Sequence, residues 1–150
     1  MQAKDLMTKE VITVKKETPV REIIDLLLRN RITGLPVVDE TGKVLGIVSE
    51  SDLVYKLETM LPTTSYWADR KKFKEERWKI MATTAGEIMS TNLIYATEDT
   101  PIEEIATLML EKRIKRLPVL RDGKLVGIIS RADVLKSILA EPSQARPVCE

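Results

Sequence analysis

The feature that most constrains this chain is that it repeats itself. Leu6-Met7-Thr8 returns as Ile88-Met89-Ser90, and Thr18-Pro19-Val20 returns at the same displacement as Thr100-Pro101-Ile102. Arg31-Ile32-Thr33-Gly34-Leu35-Pro36-Val37 matches Arg113-Ile114-Lys115-Arg116-Leu117-Pro118-Val119. One residue is then lost in a turn, and Gly46-Ile47-Val48-Ser49-Glu50-Ser51-Asp52 matches Gly127-Ile128-Ile129-Ser130-Arg131-Ala132-Asp133. Separate segments in the same order, at nearly one displacement, mark an internal duplication, so the fold must be built from two like parts.

Each copy opens with a β-rich stretch, Val11 to Val14 or Leu93 to Ala96. Thr18 or Thr100 then suits an N-cap, with Pro19 or Pro101 at the first helical position, where its missing N–H costs nothing. Glu103 completes a capping box in the second copy, whereas Arg21 stands there in the first. Val20, Ile23, Ile24, Leu27 and Leu28 form a one-sided apolar stripe at helical spacing. Two β stretches follow, Leu35 to Val38 and Val44 to Val48 around Thr41-Gly42, repeated as Leu117 to Leu120 and Leu125 to Ile129 around Asp122-Gly123. Asp-Gly between apolar runs is a hairpin signal. A second helix starts after Ser49 or Ser130. The order is β-α-β-β-α, twice. A copy of roughly 50 residues buries too little surface to stand alone, so two copies sharing a sheet interface is the economical arrangement. The expected fold class is α/β, two repeats packed with pseudo-twofold symmetry through their sheets and with matching clefts between them.

Composition removes whole classes of chemistry. The chain has no His, which takes away the commonest general base and the commonest zinc ligand. Its one Cys, Cys149, permits neither an intrachain disulfide nor a multi-Cys metal site and fits a reducing compartment. No catalytic acid–base pair or metal cluster stands out, so the expectation is a non-enzyme with no metal. Net charge is +1, which supplies no global field for nucleic acid or acidic membrane. The start lacks an apolar leader, and no apolar run nears the ~20 residues of a membrane span, so a cytoplasmic protein is expected.

The pattern Met-x-x-x-hydrophobic…Thr-Pro…Leu-Pro-Val…Gly-hydrophobic-hydrophobic-Ser-x-x-Asp resembles the CBS domain, named after cystathionine β-synthase. The resemblance covers residues 4–57 (CBS domain 1) and 86–139 (CBS domain 2), leaving a connecting helical insert at 58–85 and a tail at 140–150. It implies that tandem copies bind adenosine-containing ligands such as AMP, ADP, ATP or S-adenosylmethionine in the inter-repeat clefts, as regulatory ligands and not as catalytic cofactors. It also implies a homodimeric disc and a regulated partner protein.

Carried over residue by residue, the resemblance places Ser49 and Ser130 on phosphate and Asp52 and Asp133 on the ribose diol. Each is set where a strand enters a helix whose N–H groups suit an anion. Arg131 can reach a phosphate, while its counterpart Glu50 cannot. Each cleft takes its adenine pocket from the other repeat. Asp133 would thus work with Ile12, Ile32 and Thr33, and Asp52 with Ile94, Ile114 and Lys115. Arg113-Ile114-Lys115-Arg116-Leu117-Pro118-Val119 is similar to the corresponding stretch in the γ subunit of AMP-activated protein kinase, where basic residues face phosphates; Lys115 and Arg116 are phosphate candidates on that ground.

Plainer roles stand beside these. Ser-x-x-Asp is nearly a capping box and stabilises any helix start. The Ile residues suit core packing, and Lys115-Arg116 suits a solvated charge pair. The connector reads as a stop at Leu61-Pro62-Thr63-Thr64-Ser65, then a helix from Trp67 through Met81, with Tyr66, Phe73 and Ile80 recurring every seven residues. Its mixed charges point to a solvated helix packed on the module more than to nucleic-acid binding through residues 66–81. The rival to a ligand sensor is a ligand-free dimerisation scaffold.

Overall fold

The computed structural model describes residues 1–60 and 70–140 of the chain. In chain order the elements are α1 (Ala3–Leu6), α2 (Val20–Asn30), β1 (Gly34–Val38), β2 (Val44–Ser49), α3 (Glu50–Met60), α4 (Arg70–Ala82) and α5 (Ala85–Ile88). After these come β3 (Ala96–Thr97), α6 (Ile102–Glu111), β4 (Arg116–Arg121), β5 (Lys124–Ser130) and α7 (Arg131–Ala140). They form two compact units, and neither is a contiguous repeat. The first comprises Ile12–Ile94 with Asp122–Leu125; the second comprises Met1–Val11, Tyr95–Arg121 and Val126–Glu150. The leading segment of each copy therefore belongs with the other copy's hairpin and helices.

In the first unit β1 and β2 pair antiparallel, Leu35 opposite Val48 and Pro36 opposite Ile47, with an irregularity at Val37/Val38. Every residue of β1 is buried, while β2 alternates, as a sheet covered more fully on one face requires. The first strand is shorter than the sequence suggests and contributes one parallel bridge, Val14 to Val37. Ile23 and Leu27 of α2 pack with Val14, Leu35, Val37, Val48 and Ala85 into one core. The α2 stripe is narrower than expected: Ile24 is half-buried and Leu28 is exposed. Arg31 ends α2 in the left-handed region (φ 53°), and the Ile32 N–H reaches back to the Leu27 carbonyl (3.1 Å), a Schellman-type closure.

The second unit repeats this plan. β3 pairs parallel with β4, Ala96 opposite Val119, and β4 neighbours β5. Ile105, Met109, Leu117, Val119 and Ile129 are among its buried apolar residues. Arg113 is again left-handed at φ 53°, and Ile114 N–H reaches the Met109 carbonyl (3.2 Å). Asp122 and Gly123 both have positive φ, the mirror-image turn that an Asp-Gly pair favours. The other hairpin turns differently, with Asp39 Oδ1 accepting from the Thr41 N–H (2.8 Å), the Thr41 hydroxyl (2.6 Å) and the Lys43 N–H (3.0 Å).

The leading segments dock in the same way in both units. In the first, Ala85 N–H donates to the Thr18 carbonyl (2.8 Å) and Val20 N–H to the Thr83 carbonyl (2.7 Å). In the second, Ala3 N–H donates to Thr100 (2.8 Å) and Ile102 N–H to Met1 (3.1 Å). The first amides of α2 and α6, unpaired within their helices, are thus satisfied by the docked segment. This revises the expected caps. Pro19 and Pro101 are extended (ψ 149° in each) and occupy the N-cap themselves. Thr18 and Thr100 turn backward instead, accepting from Lys15 N–H (3.0 Å) and Thr97 N–H (2.9 Å), and Glu103 closes no capping box.

Met7 and Met89 complete the docking. Thr8 and Ile128 exchange both backbone hydrogen bonds (2.9 and 3.0 Å), as do Ser90 and Ile47 (2.9 and 3.0 Å). That brings each methionine onto a glycine, and only glycine fits. A Cβ at Gly127 would lie 2.6 Å from Met7 Sδ, and one at Gly46 2.8 Å from Met89 Sδ and 2.7 Å from the Ser90 carbonyl oxygen.

Of the connector, α4 packs on α2 and α3, with Ile80 buried and Trp78 exposed. Tyr66, Trp67 and the Leu61-to-Ser65 stop lie outside the described residues, as does the tail with Cys149.

Replacing Gly127 by Ala should destabilise the fold by about 1–3 kcal/mol, because the Met7 side chain must move. Met7→Ala should cost about 1–2 kcal/mol alone. Combined, they should cost less than their sum by at least ~0.5 kcal/mol. Urea denaturation of the four proteins in the cycle measures this, and strict additivity would mean the two residues do not touch.

Candidate functional site

Both Ser-x-x-Asp motifs sit at a strand-to-helix junction, Ser49 ending β2 before α3 and Ser130 ending β5 before α7. In the first unit, Asp52 Oδ2 accepts from the Ser49 N–H (2.8 Å) and the Ser49 hydroxyl (2.9 Å), and Ser49 Oγ accepts from the Asp52 N–H (3.2 Å). The second unit repeats the reciprocal pair: Ser130 N–H to Asp133 Oδ2 (2.8 Å) and Asp133 N–H to Ser130 Oγ (3.3 Å). The near-capping box read from Ser-x-x-Asp is formed in both units.

Further backbone bonds complete each junction. Glu50 N–H donates to the Thr33 carbonyl (2.9 Å), and Arg131 N–H donates to the Lys115 carbonyl (3.2 Å). So Thr33 and Lys115 stand beside the motif of their own unit. The amides of the cap, first and third positions are thereby used. Among the described residues, the second-position amides, Ser51 N–H and Ala132 N–H, have no partner, and neither has Oδ1 of Asp52 or Asp133. Each junction thus offers one donor on the positive helix end and one carboxylate acceptor on the neighbouring residue, both on half-exposed or exposed residues.

The remaining sequence candidates fall as follows. Ile32 is partly buried and packs against the core of the first unit, and Thr33 beside it is half-buried. Ile12 and Ile94 bound the first unit, at the points where the chain passes from one unit to the other. Ile12 is 36% exposed and Ile94 half-buried. Asp52 and Ile94 share that unit. Ile114, Lys115, Arg116, Arg131 and Asp133 all belong to the second. Lys115 and Arg131 are exposed, Arg116 opens β4 half-buried, and Ile114 is half-buried. No group of three or more His, Cys, Asp or Glu that could hold a metal occurs among the described residues.

Sequence reading passed over the Ser51 and Ala132 amides, because a backbone donor leaves no mark on residue type. It also passed over Met7 with Gly127 and Met89 with Gly46. Their signal was present, since both members of each pair recur at matching places in the two copies.

The family model of the CBS domain matches residues 3–59 and again residues 85–140. The chain belongs to the CBS domain family. CBS domain-containing protein CBSX1 of Arabidopsis thaliana is 36% identical over 148 residues, 90% of this CBS pair and 63% of that protein, so the chain spans less than two thirds of that relative. Among solved structures, CBSX2 in complex with AMP superposes with a TM-score of 0.74 at 30% identity, covering 93% of this chain and 96% of that one. The CBS domain pair of protein MJ0100, in complex with 5′-methylthioadenosine and S-adenosyl-L-methionine, has a TM-score of 0.72 at 28% identity, covering 95% and 98%. Mixed α/β architecture with two small sheets is common ground with these structures. No helix among the described residues is long and apolar enough to cross a membrane.

Ser49→Ala should remove one of the two reciprocal cap bonds and cost about 1 kcal/mol. Ser130→Ala should cost about the same, and Ser51→Ala, which leaves both bonds intact, less than about 0.5 kcal/mol. Guanidinium unfolding of the three variants tests the ranking; an equal loss in all three would mean the cap contributes nothing specific.

Proposed function

We propose that this CBS pair is a regulatory ligand-sensing module that binds an adenosine-containing molecule and transmits occupancy to a partner or to its own dimer arrangement. The observation that carries the reading is the Ser-x-x-Asp junction, folded alike in both units and leaving one carboxylate oxygen and one helix amide available in each. A ribose diol donates two hydrogen bonds and a phosphate accepts them, so the pair of open groups complements an adenosine nucleotide. AMP in one structural relative, and 5′-methylthioadenosine with S-adenosyl-L-methionine in another, support the ligand class.

In this reading Asp52 and Asp133 hold ribose, and Ser49, Ser130, Arg131, Lys115 and Arg116 serve phosphate. Ile12, Ile32, Thr33, Ile94 and Ile114 face the purine. Three cations (Lys115, Arg116, Arg131) belong to the second unit, and Thr33, Gly34 and Glu50 hold the matching places in the first. The second unit's groups therefore favour a charged ligand such as AMP, ADP or ATP. The module works in the cytoplasm, without catalysis of its own. Ligand shifts it only by binding one state more tightly than another.

A scaffold reading rests on a specific observation too: the same Ser and Asp side chains already cap α3 and α7. The two readings part on ligand response. Thermal unfolding with AMP, ADP, ATP, S-adenosylmethionine and NADH in turn should show one adenosine ligand stabilising the wild type. At 100 times its dissociation constant the gain is about 2.7 kcal/mol. Asp52→Asn or Asp133→Asn should abolish the ligand-dependent gain. Both also weaken a cap, so the comparison is of the gain and not of the starting midpoint. No shift with any of these ligands would leave the scaffold.

Dimerisation is part of the proposal. Val54 and Tyr55 on α3 are 62% and 68% exposed, and Leu135, Ile138 and Leu139 on α7 are 64%, 66% and 88% exposed. Leu135, Ile138 and Leu139 together on α7 are the apolar side chains we assign to the dimer contact. Light scattering should return the mass of two chains, and Ile138→Lys with Leu139→Lys should halve it; a monomeric wild type would overturn the dimer.

A further inference from the structure

The chain holds two similar leading segments and two similar docking grooves, which raises the question of what assigns each segment to its groove. The backbone does not decide it. Lys4 N–H donates to the Glu98 carbonyl (3.0 Å) and Gly86 N–H to the Lys16 carbonyl (2.9 Å), in structurally matching positions. Ala3 and Ala85 are both fully buried, and Met7 and Met89 both lie on a glycine. One difference combines charge with fit. Where one segment has Lys4 the other has Gly86, and where one groove has Glu98 the other has Lys16.

The charges at that place differ between the units, although Asp99, the acid that Lys4 pairs with, has an acidic counterpart in Glu17 of the first groove. In the second unit Lys4 Nζ lies 3.5 Å from Asp99, and Glu98 is bound by Arg121, whose Nη2 donates to it over 2.6 Å. The Arg121 guanidinium holds the Glu98 carboxyl below its ordinary pKa, with Lys4 adding to the effect. In the first unit, Asp39 stands at the position matching Arg121 and Lys16 at that of Glu98. There the segment passes so close that a Cβ on Gly86 would lie 3.3 Å from both Lys16 Cβ and the Lys16 carbonyl oxygen.

We propose that this position is the address of each leading segment. Lys4 directs Met1–Thr8 to the acidic groove of the second unit, and the bare backbone of Gly86 admits its segment past Lys16 in the first. A lysine entering the first groove meets Lys16 and a tight wall together, and Glu17, at the place of Asp99, is the acid left to offset them. The partner that the second groove fits is accordingly a short segment of the form Ala-basic-acidic-aliphatic-Met-Thr, here supplied by the chain itself. This assignment is independent of whether a nucleotide binds.

The test is charge reversal with second-site rescue in the full chain, read by hydrogen exchange at the docking amides and by the unfolding midpoint. Gly86→Lys should lower the midpoint and speed exchange at Ala85 and Ser90 by about tenfold or more. Lys16→Glu in the same chain should recover most of that loss. Gly86→Ala, which adds the wall contact without the charge, should lose less. Should Gly86→Lys fail to fold, Lys4→Glu examines the other groove: exchange at Ala3 and Thr8 should rise about fivefold at low salt, less at high salt, and return with Asp99→Lys. Failure of Lys16→Glu to rescue, equal damage from Gly86→Ala, or unchanged exchange in Lys4→Glu would overturn the assignment.

Discussion

Everything else in this molecule depends on how an eight-residue leading segment closes the start of a helix that belongs to the other copy. A helix leaves its first amides unpaired, and proline just before α2 and α6 removes the usual side-chain remedy by taking the N-cap position itself. The carbonyls of Thr83 and Met1 supply the missing partner, while Thr18 and Thr100 return the bond to Ala85 and Ala3. The methionine on glycine then locks the far end. Neither helix start nor hairpin is complete without a segment from elsewhere in the chain, which gives physical content to the idea that one copy is too small to stand alone.

Much of this was legible in the residues. Repetition, helix spacing and the Asp122-Gly123 turn led to the helix, hairpin, helix order of each copy, though not to α1 and α5, and the duplicated motif led to the family. The misplaced parts share a cause: they were decided by contacts distant in sequence. Thr18 and Thr100 look like N-caps to any local rule, but a docked segment had already satisfied the amide they would serve. Leu28 follows the apolar period and is exposed on α2. The first strands shrink to Val14 and to Ala96–Thr97, because pairing along the neighbouring strand ends there.

The candidate site shows the same division. Ser49 with Asp52, and Ser130 with Asp133, were visible as chemistry, and so was their double reading as ligand groups and as caps. The second reading is concrete in the fold, with both bonds of the box formed. Capping and binding use different atoms, however: Oδ2 serves the helix and Oδ1 does not. A cap that fixes the carboxylate also preorganises its other oxygen, so stability and recognition need not compete at this residue.

The interleaving of the two units also bears on how such a chain can be divided. Cut between α3 and α4, it would yield two fragments that each keep their own leading segment, and each would lack the segment its helix start requires. Neither fragment would be a domain in the sense of a piece that folds by itself. Each would be the other's missing part, and only as a mixture would they contain what one folded unit needs.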